Sequence, residues 1–148
     1  MKAFTCLMFL FCCFLSCYTH AAEKVIWTGE VNADGTPTQA ANLTLGEKYI
    51  IKVSGFVNLG KWWQNRQALA DDASYEFNAP DGPTKLQTFQ NSLNIPTDGE
   101  FHTDHIYRSA PFIAEENKVH FWIKDSDYSD NTGALKVEII RVGPPPKS

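Results

Sequence analysis

Between Ile123 and Leu135 the chain gathers the residues best suited to chemistry. Asp125-Ser126-Asp127-Tyr128-Ser129-Asp130-Asn131-Thr132 holds three aspartates, an asparagine and four hydroxyls in one short loop. Carboxylates this close repel one another unless water or a cation separates them. Hard oxygen donors on a short loop suit Ca²⁺, which takes six to eight oxygens from carboxylates, amides and backbone. A solvated turn explains the same composition, because Asp, Asn, Ser and Gly are the usual turn formers. On the loop alone both readings stand. It is not an EF-hand: counting from Asp125, Asp130 stands where that loop needs Gly, and Lys136 where it needs Glu.

Other candidates are weaker. Asp71 with Asp72, or Asp125 with Asp127, offer the paired carboxylates of a hydrolase. No Gly-x-Ser-x-Gly or His-Glu-x-x-His pattern accompanies them, so the chain is read as a non-enzyme. His102 and His105 fall on an expected strand, where they face opposite sides as surface or satisfied core residues rather than a metal pair. Trp62-Trp63 offers an aromatic face that could stack on a sugar or meet a protein partner, and at least one of the two is expected in the core.

The elements that must hold this loop read as strands. Lys118-Val119-His120-Phe121-Trp122-Ile123 and Leu135-Lys136-Val137-Glu138-Ile139-Ile140 largely alternate apolar and polar residues, and are expected to form the final hairpin, Lys118 to Val142. Val25–Val31 reads as a first strand. Tyr49–Val57 reads as a second, with Tyr49, Ile51 and Val53 on one face and Ile50, Lys52, Ser54 and Phe56 on the other. Lys85–Phe89, Phe101–Tyr107 and Ala110–Ala114 read as short strands, and 60–72 as the least strand-like segment. Many short strands and almost no helical period predict an all-β fold, a β-sandwich of jelly-roll, galactose-binding-domain-like type.

Residues 1–21 read as a secretory signal peptide: Lys2, an apolar run from Phe4 to Tyr18, then small residues at Ala21 and Ala22. The run is short for a membrane span of about 20 residues, so the mature chain is expected to carry no transmembrane segment. Cys17 keeps a lipoprotein reading in play. The chain is therefore expected to be exported, periplasmic or secreted, with 22–142 as one domain and 143–148 as a Pro-rich tail. All four cysteines, Cys6, Cys12, Cys13 and Cys17, lie in the leader, so neither disulfides nor thiolate chemistry is expected of the mature protein. Of 13 Lys and Arg one, Lys2, lies in the leader, against 17 Asp and Glu outside it, which leaves a net charge of −5. That acidic balance argues against nucleic acid or an anionic membrane as partner.

The sequence resembles the LecA-like galactose-binding lectins, a family of small calcium-dependent bacterial lectins. The likeness rests on Ile26-Trp27-Thr28-Gly29-Glu30-Val31, on Gly46 through Gly60, and on Asp125 to Gly133 with the strand beyond. The resemblance implies a Ca²⁺ ion held by the backbone carbonyl of Leu59 and by Asp125, Asp127 (or Ser126), Asp130 and Asn131. It implies that the ion ligates vicinal hydroxyls of galactose-type glycans, and that the protein is a homo-oligomer, since the family tends to tetramers. The family's His-Pro-Asp-Gln sugar-binding segment corresponds to about Leu69-Ala70-Asp71-Asp72, where Asp72 is the expected hydroxyl acceptor beside Asp125, Asp130 and Asn131. The loss of His and Gln there motivates a rival: an exported protein-binding or inhibitor module on the same fold that has lost sugar binding.

Overall fold

Alternating side chains on three strands create the core, and the chain wraps round them. The computed structural model describes residues 22–60 and 69–143. The leader, the end of the tail, and Trp62-Trp63 lie outside the described residues. Strand β13 (Thr132–Val142) runs antiparallel between β1 (Glu23–Asn32) and β3 (Lys48–Ser54). Its Leu135, Val137 and Ile139 are fully buried, as are Ile51 and Val53 of β3 and Val31 of β1, while Lys52 and Ser54 face outward. Full burial of each such side chain contributes about 1.5–3 kcal/mol. A bulge at Ile26 shifts the β1 register between Val25 and Trp27, after which Trp27 turns onto the core. Trp27 needs the following Trp-x-Gly spacing, because a Cβ at Gly29 would collide with its indole.

The same sheet continues from the start of β13 through β4 (Val57–Asn58), β5 (Ala70–Asp71), β6 (Tyr75–Glu76) and β7 (Thr84–Lys85), all antiparallel. Strands β9 (Ile106–Arg108) and β10 (Phe112–Ile113) share the other edge of β3. Two short ladders complete the sandwich: β2 (Ala41–Asn42) with β11 (Lys118–Val119), and β8 (Phe89–Asn91) with β12 (Phe121–Ile123). Phe121 stacks on Trp27 at 5.5 Å and on Phe89 at 5.8 Å, closing one continuous core between the layers. The fold is all-β, a β-sandwich, and no described residue is helical.

Three local expectations are corrected. Lys118–Val142 is not a hairpin: β12 pairs with β8 in one layer and β13 with β1, β3 and β4 in the other. Alternation fixes which face of each strand is buried, but not its partner. The Lys85–Phe89 strand is broken at Gln87, whose φ of 54° is left-handed and cannot continue a ladder. His105 also has φ 54°, and its amide bonds the His102 carbonyl, so 101–105 is a turn and only Ile106–Arg108 is strand.

Candidate binding site

Where the small strands end, they place acidic side chains against the loop that crosses between layers. Leu59 follows β4, Asp71 closes β5, and Glu76 lies opposite Asp71 on β6. The loop after β12 adds Lys124, Asp125, Ser126 and Asp127, and the link from β7 to β8 adds Leu86, Gln87 and Thr88. Together they line a cavity of about 660 Å³, within the range of roughly 300–1,000 Å³ usual for small-ligand sites. Leu59, Asp125 and Asp127, three of the residues the resemblance implied as calcium ligands, all line this cavity. Glu76 joins them unforeseen, although a carboxylate between two aromatics, Tyr75-Glu76-Phe77, was a readable sign of one drawn in from solvent.

The cavity is strongly anionic. Four of its lining side chains are carboxylates and one is a lysine. Asp71 is buried at 2% exposure, and its Oδ1 has no hydrogen-bond partner. Burial, then the nearby Glu76, Asp72 and Asp125 carboxylates, push the Asp71 carboxyl up to about 7. A buried carboxylate without a donor is costly, and a cation or a ring of hydroxyl donors would relieve it.

The crossing loop is tied by its own side chains. Asp125 Oδ1 accepts the Ser126 N–H at 2.6 Å, and Asp127 Oδ1 accepts the Ser129 N–H at 2.9 Å. The Ser129 amide and hydroxyl hold the exposed Asp127 carboxyl below its usual range. Tyr128 donates its hydroxyl to the Ile123 carbonyl at 3.0 Å. Buried Asn131 spends both amide hydrogens, on the Ala33 carbonyl at 3.0 Å and on Asp125 Oδ2 at 2.8 Å, and leaves its own Oδ1 buried without a donor. Asp130 reaches back to the residue after Leu59: a Cβ at Gly60, where φ is +75°, would overlap the Asp130 carboxylate. Only glycine accommodates both that backbone conformation and that approach.

Asp72 does not belong to this site, which corrects its expected role as a sugar acceptor. Its side chain is fully buried and saturated. Oδ1 accepts the amides of Ser74 at 2.9 Å and Tyr75 at 2.7 Å, while Oδ2 meets His105 Nδ1 at 3.0 Å and the Tyr107 hydroxyl at 2.8 Å. Burial and this bond raise the Tyr107 phenol above its ordinary range. Neighbouring residues of an extended chain point to opposite faces, so Asp71 faces the cavity and Asp72 the core, and the two cannot act as one acid–base pair. His102 is engaged separately, its Nε2 2.6 Å from Asp98 Oδ1. Both histidines are thus satisfied by carboxylates, as turn residues rather than strand residues.

Among the described residues, no three His, Cys, Asp or Glu side chains form a ready cluster for a metal ion. The donors present are nonetheless those a hard cation takes. The expected ligands are all oxygens, carboxylate, amide and backbone carbonyl, and two nearby side-chain oxygens, on Asp71 and Asn131, are buried without a donor. Of the residues the resemblance implied as calcium ligands, Leu59, Asp125 and Asp127 line the cavity, whereas Asn131 meets it through its bond to Asp125, and Asp130 lies against Gly60.

No protein-family model matches the chain, and no curated protein matches it. Among solved structures it is similar to the EclA N-terminal domain, described as a PllA-like lectin. The two are 25% identical, the likeness covers 79% of this chain and 97% of that one, and the TM-score is 0.52. The sandwich that carries the acidic cavity is thus a fold it shares with a lectin domain.

Proposed function

We propose that the chain is an exported lectin that binds galactose-type glycans through a calcium ion in the acidic cavity. One observation carries the reading: on a fold shared with a lectin domain, a carboxylate-rich cavity of about 660 Å³ is lined by Asp71, whose buried Oδ1 no protein donor satisfies, and by Asp125, which is bonded to Asn131, whose Oδ1 is likewise without a donor. Asp125, Asp130, Asn131 and the Leu59 carbonyl would hold the ion. When bound, it supplies positive charge that orients two vicinal sugar hydroxyls. Asp71 takes the acceptor role first expected of Asp72, since Asp71 lines the cavity and its buried Oδ1 has no protein donor. The tied loop holds Asp125 and Asn131 in place before ligand arrives, which limits the ordering cost of binding.

Titration calorimetry of the exported protein with galactose, in calcium and then in chelator, tests this. The expected result is heat of binding in calcium only, absent in Asp125→Ala. Absence of binding to galactose and to a panel of other monosaccharides in calcium would overturn the proposal.

A further inference from the structure

A second, smaller cavity adjoins the first. It has a volume of about 170 Å³ and is lined by Gln87, Phe89, Asn91, Asn94, Pro96 and Thr97 among others. Gln87 lines both cavities. The chemistry changes across it: the first wall is dominated by carboxylates, whereas the second carries no ionisable side chain. Its polar groups are mostly amides, which both donate and accept and so match neutral hydroxyls.

The backbone is organised to present two of those amides. Only Gln87, Asn94 and His105 among the described non-glycine residues have positive φ, each 54°, and two of the three line this cavity. Asn enters the left-handed region readily, so Asn94 alone would be an ordinary turn residue. Gln has no such excuse, and a residue held there costs on the order of 1 kcal/mol, a cost that clusters at ligand sites. Asn91 uses its side chain to fix the turn, bonding the Ile95 carbonyl at 2.7 Å and the Leu93 and Ile95 amides at 3.2 and 3.1 Å. Gln87 and Asn94 are exposed, and neither side-chain amide is engaged by the described chain. Phe89 and Pro96 give the cavity an apolar wall for a ring face.

From this we infer that the ligand is an oligosaccharide, its terminal residue in the acidic cavity and the next residue in the amide-lined one, read by Gln87 and Asn94. The inference rests on the lectin reading above. The second cavity falls below the volume typical of whole small ligands, which suits a single further ring.

Calorimetry in calcium tests it, comparing galactose with galactose-terminated oligosaccharides of both anomeric linkages. Variants Gln87→Gly and Asn94→Gly keep the left-handed backbone and delete the amides. At least one oligosaccharide should bind on the order of tenfold more tightly than galactose, as two added hydrogen bonds would give. Asn94→Gly should lose that gain with galactose binding unchanged, and Gln87→Gly should lose it too. If galactose binds and no oligosaccharide is tighter, or if the gain survives both variants, the inference is wrong while the lectin reading stands. If no sugar binds, the lectin reading itself fails and takes the inference with it.

Discussion

Asp71→Asn should make the calcium-free protein more stable above neutral pH, although it removes a cavity-lining residue. In the folded chain the Asp71 carboxyl lies at about 7, against an ordinary value of 3.8, because burial and the Glu76, Asp72 and Asp125 carboxylates oppose its ionisation. Between those pH values the folded state binds more protons than the unfolded one, so wild-type stability falls as pH rises from about 4 to about 7 and levels off above. A shift of about 3 units at 1.36 kcal/mol each sets a ceiling of about 4 kcal/mol. Asn keeps the shape, carries no charge, and can donate to the carboxylates nearby. Urea denaturation in chelator at pH 5, 6, 7 and 8 would read the slope. The wild type should lose on the order of 2–3 kcal/mol across the series, the rest of the ceiling lying below pH 5, and the variant only the part owed to other groups. Parallel pH profiles, or a variant less stable than wild type at pH 8, would refute the electrostatic account of this cavity.

Asp72→Ala should cost about 3 kcal/mol or more, since it strands the buried Tyr107 hydroxyl, His105 and two amides that the carboxylate now accepts from; urea midpoints measure this. Gly60→Ala should destabilise by about 1–2 kcal/mol and weaken any calcium response, because its Cβ would displace Asp130 at a φ of +75°; melts with and without calcium separate the two effects. Glu138 sits 2.8 Å from both Lys136 and Lys52, whose bonds hold its carboxyl down to about 2. Its stabilisation is present above about 4.5 and is lost as pH falls toward 2. Glu138→Gln should therefore flatten acid unfolding in that window by about 1 kcal/mol, the upper end for a partly exposed cluster.

The long strands were legible because their alternation is long and regular. Tyr49, Ile51 and Val53 lie in the core, and Lys52 and Ser54 outside it, as the pattern required. Partner choice was not legible: Phe121-Trp122-Ile123 and Leu135 to Ile140 both alternate, yet they belong to different layers, because pairing depends on contacts distant in sequence. The site was half legible. Asp125 and Asn131 stand out in the acidic loop, but the burial of Asp71 and Glu76 comes from strands two residues long, too short to show a period. The exchange of roles between Asp71 and Asp72 turns on a single position, and one residue along an extended chain reverses the face. The left-handed backbone at Gln87 and His105 carries no compositional mark, since both stations favour Gly or Asn and neither has it.

A thermal melt of the protein in chelator, in calcium, and in calcium with galactose tests the central claim most directly. A ligand that binds only the folded state raises the midpoint by linkage. Calcium should raise it, galactose should raise it further only when calcium is present, and Asp125→Ala should abolish both rises. A midpoint indifferent to calcium would contradict the account and leave the Asp125–Asn131 loop an ordinary turn.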